Sequence, residues 1–200
     1  MSTKNDSRKA RKEKLDNVVE NLLVAVSKTV HPMEQKQASD SKASIIVKPE
    51  EIRQVASVIK NTLDGAMGET VVGVDLQNKQ YELIYFFWSL TKKVMIETRT
   101  KVEGDNPSID SICDIFPGLD WHEREIHEMF GVNFKGHPNM NLLILPDELE
   151  GVYPLRKSFQ VSRERVKESG ILTPIARPEK PSQASNEPKA VDGGKTNTTE

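Results

Sequence analysis

The sequence predicts an α/β fold of the α+β type: a mixed sheet of about four strands with helices packed on one face. Two observations lead to this prediction. Helix-type and strand-type spacings of apolar residues alternate between residues 15 and 130. From residue 132 to residue 159 the chain holds Gly, Pro and short apolar pieces, which indicates an extended C-terminal segment wrapped over a surface.

Two amphipathic helices are predicted in the first third of the chain. The first covers residues 15–30 and ends at the His31-Pro32 step. Pro49 begins the second. Its buried face consists of Ile52, Val55, Ala56, Ile59 and Leu63. The polar segment 33–43 between the two helices is interpreted as a linker.

Four segments have strand character. They are 45–47, 71–75, 81–88 and 94–102. Both faces of 81–88 are largely apolar, which predicts a strand covered on both sides. Segment 94–102 alternates and should be half exposed, pairing with 81–88 through a turn at 89–93.

Two further helices are predicted before the extended segment. Ser108 is a suitable cap for the first, and Pro117-Gly118 breaks it. Its apolar face is Ile109, Ile112, Cys113 and Phe116. The second runs over 119–130 and ends at Gly131.

Length and composition suit one domain with extensions. The chain has 200 residues and a net charge of -2, which gives no electrostatic argument for nucleic acid binding. We expect a basic N-terminal extension with an amphipathic helix and linker at 1–43, the main domain at 44–160, and a disordered Pro-rich tail at 161–200. The basic residues of 1–14 suit either a solvated end or a docking arm.

Several kinds of site have no sequence support. Cys113 is the single cysteine, so it forms no intrachain disulfide and supplies no iron–sulfur ligand set, and its apolar neighbours predict a buried thiol. The sequence shows no glycine-rich nucleotide loop. No apolar run approaches the roughly 18 residues that span a bilayer, so we expect an intracellular protein that is soluble or held at a membrane through partners.

Residues 121–128 imitate the zinc-protease pattern His-Glu-x-x-His. That pattern needs histidines at i and i+4, whereas His127 lies five positions after His122, so the two rings should diverge around the helix. In the same helix, Glu123, Arg124 and Glu125 can form ion pairs and forked hydrogen bonds. The alternative is a solvated charged face.

The run 114–131, DIFPGLDWHEREIHEMFG, is followed by Gly136-His137-Pro138, by LILPD at 143–147 and by Pro154-Leu155-Arg156-Lys157. In this order the pieces resemble the signature of the 30 kDa subunit of complex I, known in bacteria as the C subunit of NADH-quinone oxidoreductase. Related subunits occur in F420H2 dehydrogenases and energy-converting membrane-bound hydrogenases. The strong match covers 108–159, and a weaker one begins near Ile45.

The chain departs from the family pattern at several positions. Asn139, Asn141 and Leu142 stand where the family usually has an Asp and arginines. His127-Glu128 replaces a frequent Tyr-Asp, and Tyr153 precedes Pro154 where His is frequent. We therefore do not expect the chain to keep every salt bridge of the family.

The resemblance implies a non-catalytic structural subunit of the hydrophilic arm. It implies no cofactor on this chain; Fe-S clusters and quinone, or Ni-Fe, belong to partner subunits. The implied partners are the large subunit that builds the quinone or nickel–iron site and a cluster-bearing small subunit, with the membrane arm contacted indirectly. The implied location is the cytoplasmic side of the cell membrane.

From the resemblance we assign structural or interface roles to matching residues. These are Glu123, Arg124, Glu125, Gly131, Gly136, His137, Pro138, Pro154, Leu155, Arg156 and Lys157. The resemblance implies NADH or an analogous electron donor, which is handled by other subunits. Two alternatives from other classes are a free-standing metal hydrolase using His122, Glu123 and His127, and an adaptor protein that reuses the fold.

Overall fold

The computed structural model describes residues 2–39 and 41–160, with side chains for 15–37, 39 and 41–160. The Pro-rich tail 161–200 and the basic side chains of 1–14 lie outside this description. The elements in chain order are α1 (Ser2–Thr29), β1 (Glu34–Ser39), β2 (Lys42–Ile46), α2 (Ile52–Thr62), β3 (Ala66–Gln77), β4 (Gln80–Ser89), β5 (Val94–Glu103), β6 (Ser108–Asp110), α3 (Asp120–Phe130) and β7 (Asn133–Lys135).

The first five strands form one mixed sheet in the order β1-β2-β5-β4-β3. The β2–β5 pair is parallel and the other neighbours are antiparallel. β6 and β7 form a separate parallel pair. The predicted α/β class with a mixed sheet is confirmed, with five strands where about four were expected.

The hydrophobic core lies between one face of this sheet and the helices. β4 turns Leu83, Tyr85 and Phe87 into the core, and every one of them is at most 1% exposed. The apolar stripe of α1 packs there through Val19, Leu22 and Val26, as its spacing predicts. The predicted buried face of α2 is also confirmed.

The polar segment 33–43 is not a linker, contrary to the sequence-based interpretation. It forms β1 and the beginning of β2, with Gln35 paired to Ile45. β1 is an edge strand whose described side chains are mostly exposed, so it carries no apolar alternation for a sequence pattern to detect. Its pairing partner β2 determines its conformation.

The helix predicted to follow Ser108 is also wrong. Residues 108–110 form β6 and residues 113–115 form a turn. Ile109, Ile112 and Phe116 are buried nonetheless. A short strand followed by a tight turn buries the same residues as one helical stripe, so the apolar spacing alone did not separate the two structures.

β4 is covered on one face, whereas both faces were predicted to be covered. Ile84, Phe86 and Trp88 point to the other side of the sheet and are only half-buried. The helices all pack on the opposite face, because that is where their apolar stripes meet the core. A partly apolar sheet face is therefore left without a helix on it in the described part of the chain.

Two glycines on β3 bring α3 close to the sheet. A Cβ atom at Gly73 would lie 2.8 Å from the Ile126 and Phe130 side chains, and one at Gly68 would lie 2.6 Å from Leu119. Glycine leaves room for these apolar side chains to sit directly on the strand. This contact fixes the position of α3, which carries most of the candidate site.

Candidate functional site: helix α3 and the C-terminal segment

Helix α3 begins and ends where its sequence predicts. A 3₁₀ turn over Pro117–Leu119 leads into it, and acidic residues Asp120 and Glu123 occupy its first turn, at the positive end of the helix dipole. Gly131 ends it in the left-handed conformation with φ 74°, and its N–H donates to the His127 carbonyl at 2.8 Å. The charged residues of the family signature thus project from one rigid element.

Glu123 points into the protein and is 0% exposed. Its carboxylate accepts hydrogen bonds from the Ser111 hydroxyl and, at 3.0 Å, from the Ile112 N–H. Burial raises the pKa of Glu123 from 4.5 to about 7, against the opposing effect of these hydrogen bonds. Glu123 therefore holds the loop between β6 and α3 rather than meeting solvent.

His137 closes the polar cluster around Glu123. Its Nε2 atom lies 4.0 Å from Glu123 Oε2, and its side chain is 0% exposed. Possible ligand atoms of Cys113, Glu123 and His137 lie within 4.8 Å of one another. His137 Nδ1 accepts the Asn139 N–H at 3.1 Å, which places the proton on Nε2, 3.3 Å from the Asp120 carbonyl oxygen. In this tautomer Nε2 is a donor, and the arrangement suits a hydrogen-bonded cluster better than a metal site.

The two histidines of the protease-like pattern diverge, as their spacing predicts. His122 Nδ1 donates to the Gly118 carbonyl at 3.2 Å, before the helix. His127 Nδ1 donates to the Val132 carbonyl at 2.9 Å, beyond its end. With Glu123 directed to Ser111, the three side chains do not share a centre, and the geometry does not support a hydrolytic metal site here.

Arg124 ties the C-terminal segment to α3. Its Nε and Nη2 atoms donate to the Asn141 carbonyl at 3.0 and 2.9 Å, and Nη2 also donates to the Leu142 carbonyl at 2.9 Å. The guanidinium fork thus holds two consecutive peptide groups. The partners of Arg124 are backbone atoms of its own chain.

Glu128 completes the attachment and was missed by the sequence reasoning. It is 3% exposed, and its carboxylate accepts the N–H groups of Leu143, Ile144 and Leu145. Its position four residues after Arg124 puts both side chains on one face of α3. This i, i+4 spacing is visible in the sequence. The sequence does not show which carbonyl and N–H groups of residues 141–145 the two side chains bind.

A second attachment forms at the end of α3, around Arg156. Its Nε atom donates to the Phe130 carbonyl at 2.7 Å, and its guanidinium lies over the rings of Tyr153 and Tyr81, 4.2 and 5.2 Å from their centroids. A Cβ atom at Gly131 would lie 2.7 Å from Tyr153. Glycine at 131 therefore serves both the helix end and this stack.

Backbone bonds continue the attachment to the last described residues. Leu155 N–H donates to the Met129 carbonyl at 3.2 Å, and Lys157 N–H donates to the buried Asp75 carboxylate at 2.7 Å. Gly136 adopts φ 79° and allows the turn after β7. Pro154 is half-buried and Pro138 is exposed.

The remaining predicted residues are on the surface. Glu125 is exposed, and Leu155 is 55% exposed. Both line a groove between α3 and β3, together with Val72 and Met129. Arg124, Glu128 and Arg156 form what we call the clamp. It holds residues 141–157, the clamped segment, as a strip on the surface beside α3. Its exposed apolar side chains are Leu143, Ile144 and Leu155.

None of the helices that the structure describes is both long enough and apolar enough to cross a lipid bilayer. The longest, α1, has 28 residues. Its buried stripe is directed to the hydrophobic core of the protein.

Comparisons with known proteins identify relatives of this chain. The C subunit of NADH-quinone oxidoreductase from Roseiflexus sp. (strain RS-1) is 34% identical over 127 residues, which cover 62% of this chain and 72% of the relative. The C subunit of the F(420)H(2) dehydrogenase from Methanosarcina mazei is 31% identical over 115 residues. These residues cover 57% of this chain and 73% of the relative.

Two solved structures share the fold. A chain of the membrane-bound sulfane sulfur reductase, an archaeal respiratory membrane complex, matches with a TM-score of 0.65 and 23% identity over 80% of this chain and 96% of its own. A trypsin-resistant fragment of Nqo5 matches with a TM-score of 0.52 and 19% identity. The match covers 61% of this chain and 98% of the fragment.

The family model described as respiratory-chain NADH dehydrogenase, 30 Kd subunit, matches residues 45–165. This range includes β3, β4 and β5 of the main sheet, the last two residues of β2, α3 and the clamped segment. The chain therefore belongs to the family of the respiratory-chain NADH dehydrogenase 30 Kd subunit.

Proposed function

We propose that this chain is a non-catalytic structural subunit in the hydrophilic arm of a complex I-type respiratory oxidoreductase. In this role it supports the large subunit that builds the quinone site, beside a cluster-bearing small subunit. It is held on the cytoplasmic side of the membrane through these partners.

The clamp on α3 is the observation that carries this proposal. Arg124 and Glu128 together bind the peptide groups of residues 141–145, so the charges of the signature organise backbone and leave the side chains of the segment free. Leu143 and Ile144 are 37% and 57% exposed. An ordered strip with outward apolar side chains is suited to burial against another protein.

We expect the hydrogen bonds of the clamp to preorganise the strip, which favours its use as a contact. Docking a preorganised segment costs less conformational entropy than ordering a free one. Glu125 and Leu155 line the groove beside α3, and together with the exposed Lys157 they complete the proposed contact with the large subunit. Glu123 and His137 contribute indirectly, by fixing the loop under α3.

A second candidate function has a specific observation in its favour. The relative in Methanosarcina mazei is a subunit of an F(420)H(2) dehydrogenase. The same structural role would then be performed in a complex with a different electron donor, including that of an energy-converting membrane-bound hydrogenase. The donor is determined by other subunits.

Arg124→Ala tests the proposal. Loss of a charged donor to two carbonyls costs about 1.5–3 kcal/mol locally, which should release residues 141–145 while the core stays folded. We expect the tagged variant to co-purify with a severalfold lower yield of the complex, measured by quantitative mass spectrometry, while its far-UV circular dichroism is unchanged.

Lys92→Ala is the matched control, because Lys92 is an exposed cation in the turn between β4 and β5, away from the clamp. It should assemble as the unmodified chain does. A normal yield of complex from Arg124→Ala would contradict the assigned role of the clamp.

A further inference from the structure

The face of the five-stranded sheet opposite the helices has an apolar half. Cross-strand register places Met67, Trp88 and Met95 side by side on β3, β4 and β5. Phe86 lies in the next row, and Val72 and Ile84 lie opposite each other in the row after that. We call this surface the Trp88 face. It consists of Met67, Val72, Ile84, Phe86, Trp88 and Met95.

The composition of the Trp88 face is that of a covered surface. A sheet with one solvated face normally carries polar residues at the outward positions. Here Met67 and Val72 are 41% and 42% exposed, and the other four members are half-buried. Contiguous apolar surface of this kind marks interaction sites.

Three charged residues beside the Trp88 face, Lys42, Glu97 and Arg99, are paired with one another. Glu97 is 5% exposed. Its Oε2 atom lies 2.6 Å from Lys42 Nζ, and its Oε1 atom lies 2.6 Å from Arg99 Nε. Burial acts to raise the pKa of Glu97, and the hydrogen bonds from these two cations outweigh it and lower that pKa. A partner can cover a neutralised network without leaving an unpaired buried charge.

The Trp88 face also continues into the proposed contact of the C-terminal segment. Val72 lies on the edge strand β3 and lines the groove that holds Glu125, Met129 and Leu155. A partner seated on α3 and the segment therefore reaches the Trp88 face around the edge of β3.

We propose that the Trp88 face docks an apolar surface of a different subunit of the same complex. This inference rests on the proposed function and adds a second contact surface to it. The self-paired charges favour an uncharged partner surface, such as the apolar stripe of a helix. The continuity with the α3 groove favours a protein that also contacts the C-terminal segment.

Cysteine footprinting tests this proposal in the full chain. Cys113 is buried, so a thiol introduced by Val72→Cys would be the reactive one among the described residues. We expect a maleimide to label Val72→Cys at least ten times more slowly in the purified complex than in the isolated chain. Met67→Cys is a second variant of the same design, and Asn61→Cys, on the exposed side of α2, is the control.

A photoreactive maleimide on Met67→Cys, which lies beside Trp88 and does not line the α3 groove, identifies the occupant. An adduct with another subunit supports the proposal. The proposal would be overturned by an adduct with residues 161–200 of the same chain or with a second copy. Equal labelling rates in the complex and in the isolated chain at residues 67 and 72 would also overturn it. If the unmodified chain assembles normally while these positions stay reactive, only the Trp88 face is wrong. If the unmodified chain enters no complex, the proposed function itself fails.

Discussion

Among single residues, Glu123 has the most unusual environment. Its carboxyl group is buried between the loop after β6 and the ring of His137, with Ser111 and Ile112 as donors. The sequence predicted a polar contact by this residue but not its direction. The loop that donates to its carboxylate lies outside α3, and the helical repeat gives no information about contacts beyond the helix. Any contribution of Glu123 to a contact between subunits is therefore indirect.

Glu123 should make stability depend on pH. Its folded pKa is about 7 and its ordinary value is 4.5, so between these values the folded state binds more protons than the unfolded state. By linkage, the free energy of unfolding then falls as pH rises from about 4.5 to 7 and levels off above. The full shift corresponds to about 3 kcal/mol.

Glu123→Gln removes this titration. Denaturant unfolding at pH 5 and pH 7.5 should show a loss of stability on raising the pH in the unmodified chain that is largely absent in Glu123→Gln. Glu125→Gln, on the exposed side of the same helix, should keep the pH dependence of the unmodified chain. The same pH dependence in Glu123→Gln would refute the assignment.

Glu128 is the second residue of the clamp on α3: it accepts backbone N–H groups where Arg124 donates to backbone carbonyls. Glu128→Ala leaves the N–H groups of residues 143–145 without their charged acceptor, at a cost of about 1.5–3 kcal/mol. Amide hydrogen exchange at these residues should accelerate by at least tenfold, while exchange in β4 stays as it is. Glu125→Ala serves as control, and unchanged protection of residues 143–145 in Glu128→Ala would show that the clamp does not hold them.

At the scale of elements, the sequence predicted the features that depend on residues close together in the chain. The stripe of α2 and the cap of α3 at Gly131 are read from spacing and from one glycine, and both are confirmed. The predictions for β1 and β6 failed for different reasons. β1 pairs with the next strand, β2, but its polar residues show no apolar alternation. β6 pairs with β7, more than twenty residues later. A strand of three residues is too short for its apolar spacing to be told from that of a helical turn.

The contact between α3 and β3 depends on Gly73. In Gly73→Ala the new methyl would meet Ile126 and Phe130 at 2.8 Å, and overpacking of this kind costs about 1–3 kcal/mol. Adding Ile126→Val deletes the methyl that it meets. The second substitution should therefore cost less in the Gly73→Ala background than alone, as measured by a double-mutant cycle of unfolding free energies.

Gly136→Ala is the comparison for a purely backbone effect. Gly136 has φ 79° and no side-chain obstacle within 4 Å of an added Cβ, so only left-handed strain of about 1–2 kcal/mol applies. Ile126→Val should be as costly with Gly136→Ala as without it. Additive free energies in the Gly73→Ala cycle would contradict tight packing of α3 on β3.

At the scale of the whole molecule, the described residues present two outward apolar surfaces. One is the clamped strip on α3, whose residues the family signature contains; the other is the Trp88 face, whose exposure no sequence pattern indicated. An apolar strand looks the same in sequence whether its second face meets a helix of its own chain or another protein. Only the placement of the described helices on one side distinguishes the two cases.

The most direct test of the proposed role is to tag the chain in its native cell, solubilise the membranes gently and identify the co-purifying proteins by mass spectrometry. We predict a stoichiometric large subunit of the quinone-site type together with cluster-bearing and membrane subunits, and the accompanying input module would identify the electron donor. A tagged chain that stays soluble and alone, in a cell that expresses such a complex, would contradict the proposed role.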